Sequence, residues 1–136
     1  MQFHLGRLID HVHLRVSDLD VSKRFYRAVL ESLDLSATFV EGPDYFYMDE
    51  LFVDRADDAV SRVHLAFQAR DRKTVHSFHL AALAAGGRDN GGPGERRYHP
   101  GYYAAFVLDP DGNNVEVVHH GPATRSALSV VVTPAV

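Results

Sequence analysis

Shifted against itself by 53 residues (64 − 11 = 53), the segment 11–31 lies on 64–84 without a gap. Five of the 21 positions are identical, where chance gives roughly one or two. They are His11/His64, Asp18/Asp71, Phe25/Phe78, Ala28/Ala81 and Leu30/Leu83, and the apolar positions correspond as well. A duplication of this kind constrains the chain strongly, because whatever the first copy forms the second must form too. In the first copy, residues 8–16 alternate as a half-buried strand, with Val12, Leu14 and Val16 on one face and His11, His13 and Arg15 on the other. The stretch SDLDVSKRFYRAVLESL then takes a helical period, with Asp18 or Asp20 as N-cap candidates and Val21, Phe25 and Ala28 or Val29 as the apolar stripe. Three short strand candidates follow at 36–41, 44–48 and 51–55, punctuated by Gly42-Pro43 and Asp49-Glu50.

The second copy repeats the order. Residues 62–69 read as a strand, RKTVHSFHLAALAA as a helix capped by Asp71, and Gly86-Gly87 as its left-handed end. A loop rich in glycine, 90–94, leads to strands at 101–108 and 113–119, joined through Asp109-Pro110-Asp111-Gly112, the residues of a type I turn. Two strand–helix–strands units, about 8–56 and 62–120, with a tail at 121–136, predict one α+β domain: a curved mixed sheet with helices on its outer face.

Composition removes several function classes. Net charge is 14 − 18 = −4 with the basic residues scattered, which argues against nucleic acid or an anionic membrane as partner. No apolar run approaches the ~18–20 residues that span a bilayer, and the start MQFHLGRLIDH has no signal-peptide core, so a soluble, cytoplasmic protein is expected. The absence of cysteine excludes disulfides, thiolate ligands and a cysteine nucleophile together. Gly91, Gly92 and Gly94 lack the Lys-Ser/Thr that completes a P-loop, and no serine sits in a nucleophile elbow. The nine histidines are where the chemistry is to be sought.

Three segments carry a resemblance. They are His11-Val12-His13-Leu14-Arg15-Val16 running into Phe25-Tyr26, then His64-Leu65-Ala66-Phe67, then Phe106-Val107-Leu108-Asp109-Pro110-Asp111-Gly112-Asn113-Asn114-Val115-Glu116. In this order and spacing, over roughly 8 to 120, the chain resembles the vicinal-oxygen-chelate superfamily of glyoxalases, bleomycin-resistance proteins and extradiol dioxygenases. The resemblance implies a tandem βαβββ fold whose sheet curls around a cavity holding a divalent metal. Carried over residue by residue, the metal ligands fall on His11, His64 and Glu116. Strand parity agrees, since each lies opposite the helix-facing apolar residues. Two imidazoles and a carboxylate with open positions suit Fe, Mn, Zn or Ni, and an open position lets the ion act as a Lewis acid. Glyoxalase I takes a fourth ligand from the last strand of its first unit. Matching Val115 to Leu51 puts Phe52 there, so three ligands are expected, with Glu50 or Asp54 as the residues that could supply a shifted one.

Around that trio, His13 shares the face of His11, and Tyr98, His99 and Tyr102 sit on the segment 96–103 before a cavity strand. These four are the candidates for orienting a substrate or moving a proton. Each has a plainer alternative: Glu116 paired to an arginine, His13 filling a cavity wall, the aromatic segment packing only on itself. His76 and His79 read as helix surface or packing residues. His4, His119 and His120 read as incidental, although His120 shares the parity of Glu116. The tail suits either an extra edge strand or a dimer contact. The resemblance implies a metal-dependent enzyme (dioxygenase, lyase or isomerase, or transferase) acting on a small substrate chelated through oxygen. The alternatives are a metal-free drug-binding protein of the bleomycin-resistance kind and a thiol transferase of the fosfomycin-resistance kind. A homodimer is expected, since small relatives often pair and some build each cavity from both chains.

Overall fold

The computed structural model of the protein describes residues 1–135. The first unit runs β1 (Val12–Val16), α1 (Leu19–Ser32), a 3-10 turn at Ser36–Thr38, β2 (Val40–Glu41), β3 (Tyr45–Met48) and β4 (Leu51–Arg55). The second runs β5 (His64–Gln68), α2 (Arg72–Ala84), β6 (Arg88–Asp89), β7 (Gly94–Glu95), β8 (Tyr103–Leu108) and β9 (Asn114–His119). The duplication is visible down to the helix caps. Asp18 and Asp71 stand immediately before α1 and α2, and each carboxylate accepts the backbone N–H three residues on, from Val21 and Thr74. Satisfying one of the helix's free N–H groups in this way is worth about 1 kcal/mol at each end.

Topology repeats too. In both units the first strand is an edge strand lying parallel to the last, β1 on β4 and β5 on β9, and the remaining pairings are antiparallel. Sheet order is β1-β4-β3-β2 in one unit and β5-β9-β8-β6 in the other, with β7 also on β8. The one curved sheet expected from the sequence is therefore divided in two within a single chain. What joins the units is the helical layer, where α1 packs against α2, and a shared core. Leu14, Phe25 and Val53 of the first unit belong to the same apolar cluster as Phe78, Val107, Val115 and Val117 of the second.

Two polar devices fix this joint. The Asp109–Gly112 turn closes with Gly112 donating to the Asp109 carbonyl at 2.9 Å, and Gly112 takes a φ of 87° that a side chain would resist. The Asp109 carboxylate, 1% exposed, accepts from the Tyr26 hydroxyl of α1 at 2.6 Å and from the Asn113 side chain and backbone. Asp111 of the same turn is bonded by Ser17, just before α1. At Gly87, a Cβ would stand 2.4 Å from the Val107 side chain and 2.8 Å from both the Ala82 carbonyl and the Phe25 ring, so only glycine fits between α1, α2 and β8.

Three expectations are corrected. The first strand begins at Val12, not 8, because its partner β4 begins at Leu51, after a turn in which Asp49 is left-handed (φ 48°). Residues 36–41 split into the 3-10 turn and the two-residue β2. The stripe of α1 runs through Leu19, Ser22, Phe25, Tyr26, Val29 and Leu30, leaving Val21 exposed. Phe25 and Val29 of the expected stripe are buried, and Val21 is the member that is not. Among the described residues no helix is long and apolar enough to cross a membrane.

Candidate functional site

Alternation along β9 sends Val115 and Val117 into the core and leaves Glu116 on the opposite, open face of the second sheet. Glu116 is nevertheless 2% exposed. A carboxylate so placed requires a hydrogen-bonding or cationic partner, and it has two. His64 Nε2 lies 2.7 Å from Oε2, and the Tyr102 hydroxyl donates to Oε1. The ladder explains the first contact. His64 opens β5 opposite Asn114, Glu116 stands opposite Ala66, and the two are diagonal neighbours on one face. Phe106, opposite Glu116 on β8, puts its ring 6.0 Å from that of His64, and the Arg96 guanidinium lies 5.3 Å from the Phe106 ring centre. Burial, then the bond to Glu116 and its negative charge, push the Tyr102 phenol well above its ordinary value, so it stays a proton donor at neutral pH.

The first unit carries a second histidine–carboxylate pair of the same diagonal geometry. His13 stands opposite Phe52, Asp54 opposite Arg15, and His13 Nε2 meets Asp54 Oδ1 at 2.8 Å. Arg15 Nε lies 3.5 Å from the same carboxylate oxygen. Val12 pairs with Leu51 as Leu65 pairs with Val115, so Phe52 occupies the place that Glu116 holds in the second unit. Its ring stacks on Tyr45 and Tyr47 and meets the edge of His13. Of the two residues considered for a shifted ligand, Asp54 is thus engaged by His13, and Glu50 lies in the turn before β4.

His64 and Glu116 are brought together; His11 is not brought to them by its own chain. It precedes β1, its side chain is 62% exposed, and its Nδ1 lies 2.6 Å from Asp10. Among the described residues no three histidine or carboxylate side chains converge as a metal site. The cause is topological: His11 and His64 are equivalent, and equivalent residues lie at the equivalent edges of two separate sheets.

The aromatic segment does assemble beside Glu116. Tyr98 meets Tyr102 at 4.9 Å between ring centres, and Tyr102 meets both His99 and His120 edge-on. His99 Nε2 and His120 Nδ1 are 2.9 Å apart. His120 is the residue that sequence reasoning undervalued, although its position two and four residues beyond Val118 and Glu116 gave the signal. His76 bonds the Tyr103 hydroxyl, His79 pairs with Asp89, and His119 donates to the Ala69 carbonyl, so none of the three reaches the open face. The tail forms no strand up to residue 135; its Arg125 donates to Gln68 of β5 at 2.6 Å, and Val136 lies outside the described residues. A cleft of about 370 Å³ lies elsewhere, on the helical side between the end of α1 and the start of α2, lined by Asp34, Arg70, Asp71 and Lys73 among others.

Solved structures with this architecture are numerous. A glyoxalase/bleomycin resistance protein from Albidiferax ferrireducens is 28% identical, with a TM-score of 0.71 over 82% of this chain and 98% of that one. A glyoxalase-related enzyme from Fulvimarina pelagi is 21% identical, with a TM-score of 0.66 over 90% and 100%. A lactoylglutathione lyase from Agrobacterium tumefaciens is 24% identical, with a TM-score of 0.61 over 83% and 93%. No curated protein matches the chain. Residues 8–117 match the family described as the Glyoxalase/Bleomycin resistance protein/Dioxygenase superfamily, a span that takes in the first unit, the second as far as Val117 in its last strand, and both His64 and Glu116. With the duplicated topology and the resemblance of its motifs, this makes the chain a member of that superfamily.

Proposed function

We propose that the protein is a divalent-metal-dependent enzyme of this superfamily, working as a homodimer in which each site takes His64 and Glu116 from one chain and His11 from the other. The observation that carries the reading is the meeting of His64 Nε2 and Glu116 Oε2 at 2.7 Å around a buried carboxylate on an open sheet face. These are two of the donors a three-ligand ion needs, and their nitrogen and oxygen chemistry fits Fe, Mn, Zn or Ni. The third donor, the partner subunit's His11, would come from the unpaired edge of β1. Pairing of two copies is further supported by exposed apolar side chains at both chain ends: Phe3, Leu5, Leu8 and Ile9, then Leu128 and Val130 to Val132. An ion held there would supply Lewis acidity to an oxygen of a small substrate. Tyr102 holds the far oxygen of Glu116 and so fixes the carboxylate's orientation, as outer partners of metal ligands do. Phe106 and the partner's aromatic face of Tyr45, Tyr47 and Phe52 would exclude water.

The test is a titration of chelator-treated protein with Mn2+, Zn2+ and Ni2+, with the mass read by light scattering. One ion per chain and a mass of two chains are expected. A monomer that binds none of the three ions would overturn the reading. A second reading, a metal-free binding protein, has an observation in its favour: His64 and Tyr102 between them give both oxygens of Glu116 a hydrogen-bond partner. A dimer that stays ion-free in the titration would select it.

A further inference from the structure

The contacts of the histidine pair beside the site select one proton arrangement when both rings are neutral. His99 Nδ1 lies 2.9 Å from the Pro100 carbonyl, which can only accept, so in the neutral ring Nδ1 carries the proton and Nε2 is a lone pair. That lone pair faces His120 Nδ1 at 2.9 Å, so His120 must donate from Nδ1. By elimination, His120 Nε2 is the one unprotonated nitrogen left in the chain of bonds. The imidazole is thereby held in its less common tautomer, Nδ1–H, by a partner that is itself fixed to a backbone carbonyl. His120 emerges on the Glu116 face, and its ring meets the edge of Tyr102, whose hydroxyl bonds Glu116.

We propose that His120 Nε2 is the proton acceptor of this site, taking the proton of a bound ligand's hydroxyl, with His99 as the positioning residue that sets its tautomer. This deepens the proposed function and rests on it for the place of the ligand: the substrate class is a small molecule bearing an ionisable O–H. In the step, the ligand O–H bond breaks, its electron pair stays on oxygen, and the proton forms a bond to Nε2. The positive charge is shared toward His99 through Nδ1–H, and the same proton is returned when the ligand leaves. The groups facing His120 suit a neutral acceptor. Its own burial first, then His99, and more weakly His119, hold it below its ordinary value of 6.5, with Glu116 opposing them. The Tyr102 phenol, held well above its ordinary value, adds no charge.

The experiment is nitrogen-15 NMR of the imidazoles in the full-length protein at pH 7.5, with diethyl pyrocarbonate, which acylates unprotonated imidazole nitrogen, as chemical probe. Both His99 and His120 should appear as Nδ1–H tautomers, and His120 should be acylated at Nε2 at least threefold faster than His99. His99→Ala should return His120 to a mixture dominated by Nε2–H and slow its acylation at least threefold. An Nε2–H tautomer for His120 in the unaltered protein, or a His120 signal that His99→Ala leaves unmoved, overturns the proposal. Zn2+ affinity measured on the same His99→Ala protein should be unchanged, so failure of the metal site and failure of the relay are read separately.

Discussion

Replacing Glu116 by glutamine separates a functional carboxylate from a structural one. The buried carboxylate is paired to an imidazole whose own side chain is 53% exposed, so the pair is open to solvent on one side and its attraction is partly screened. Glutamine keeps both bonds in a different form. Its oxygen accepts from the Tyr102 hydroxyl, and its amide donates to the lone pair of a neutral His64. Because no buried group loses its partner and a desolvated charge is removed, stability should change by less than about 1 kcal/mol in either direction. Unfolding in urea at pH 7 reads this directly. The affinity for Zn2+ should fall at least tenfold in the same protein, since a neutral amide oxygen replaces an anionic donor. A structural ion pair behaves otherwise: breaking one by removal of a partner costs about 3–5 kcal/mol. A loss in that range, with Zn2+ binding unaffected, would refute the reasoning.

Other consequences concern the joint between the units. Tyr26→Phe removes the hydroxyl that Asp109 accepts inside the core, and urea unfolding should show a loss of about 1–2 kcal/mol. The same residue sets an alkaline limit. Burial first, then Asp109, hold Tyr26 well above its ordinary value of 10.0, so its contribution is intact below that pH and is lost as pH rises past it; Tyr26→Phe should flatten part of that alkaline decline in unfolding free energy. Gly87→Ala forces a methyl against the Val107 side chain and the Ala82 carbonyl, and a loss of about 1–3 kcal/mol should appear as a lowered Tm.

Features legible in the sequence were those written locally or repeated. The caps at Asp18 and Asp71 follow from short-range chemistry, and the 53-residue offset predicted their equivalence. Matching Val115 to Leu51 placed Phe52 opposite Glu116, and the two parallel ladders have that register. The meeting of His64 with Glu116 followed from parity within one unit. Relations between units were not legible. Parity says which face His11 occupies, but not that β1 and β5 edge separate sheets, because that depends on how α1 packs on α2. The Tyr26–Asp109 bond joins residues 83 apart and has no local signal. His120 was passed over because its partner, His99, comes from a loop with no periodicity to align it.

A shared site can be tested by mixing subunits. His11→Ala and Glu116→Ala chains, differently tagged, are each purified, then unfolded and refolded together, and the mixed dimer is isolated by both tags. Each parent should bind Zn2+ weakly, because every site lacks one donor. In the mixed dimer, one site takes His64 and Glu116 from the His11→Ala chain and the intact His11 from the other, while the second site lacks both. Titration should therefore recover one Zn2+ per mixed dimer at the affinity of the unaltered protein. A mixed dimer that binds no better than its parents would contradict a site built from two chains.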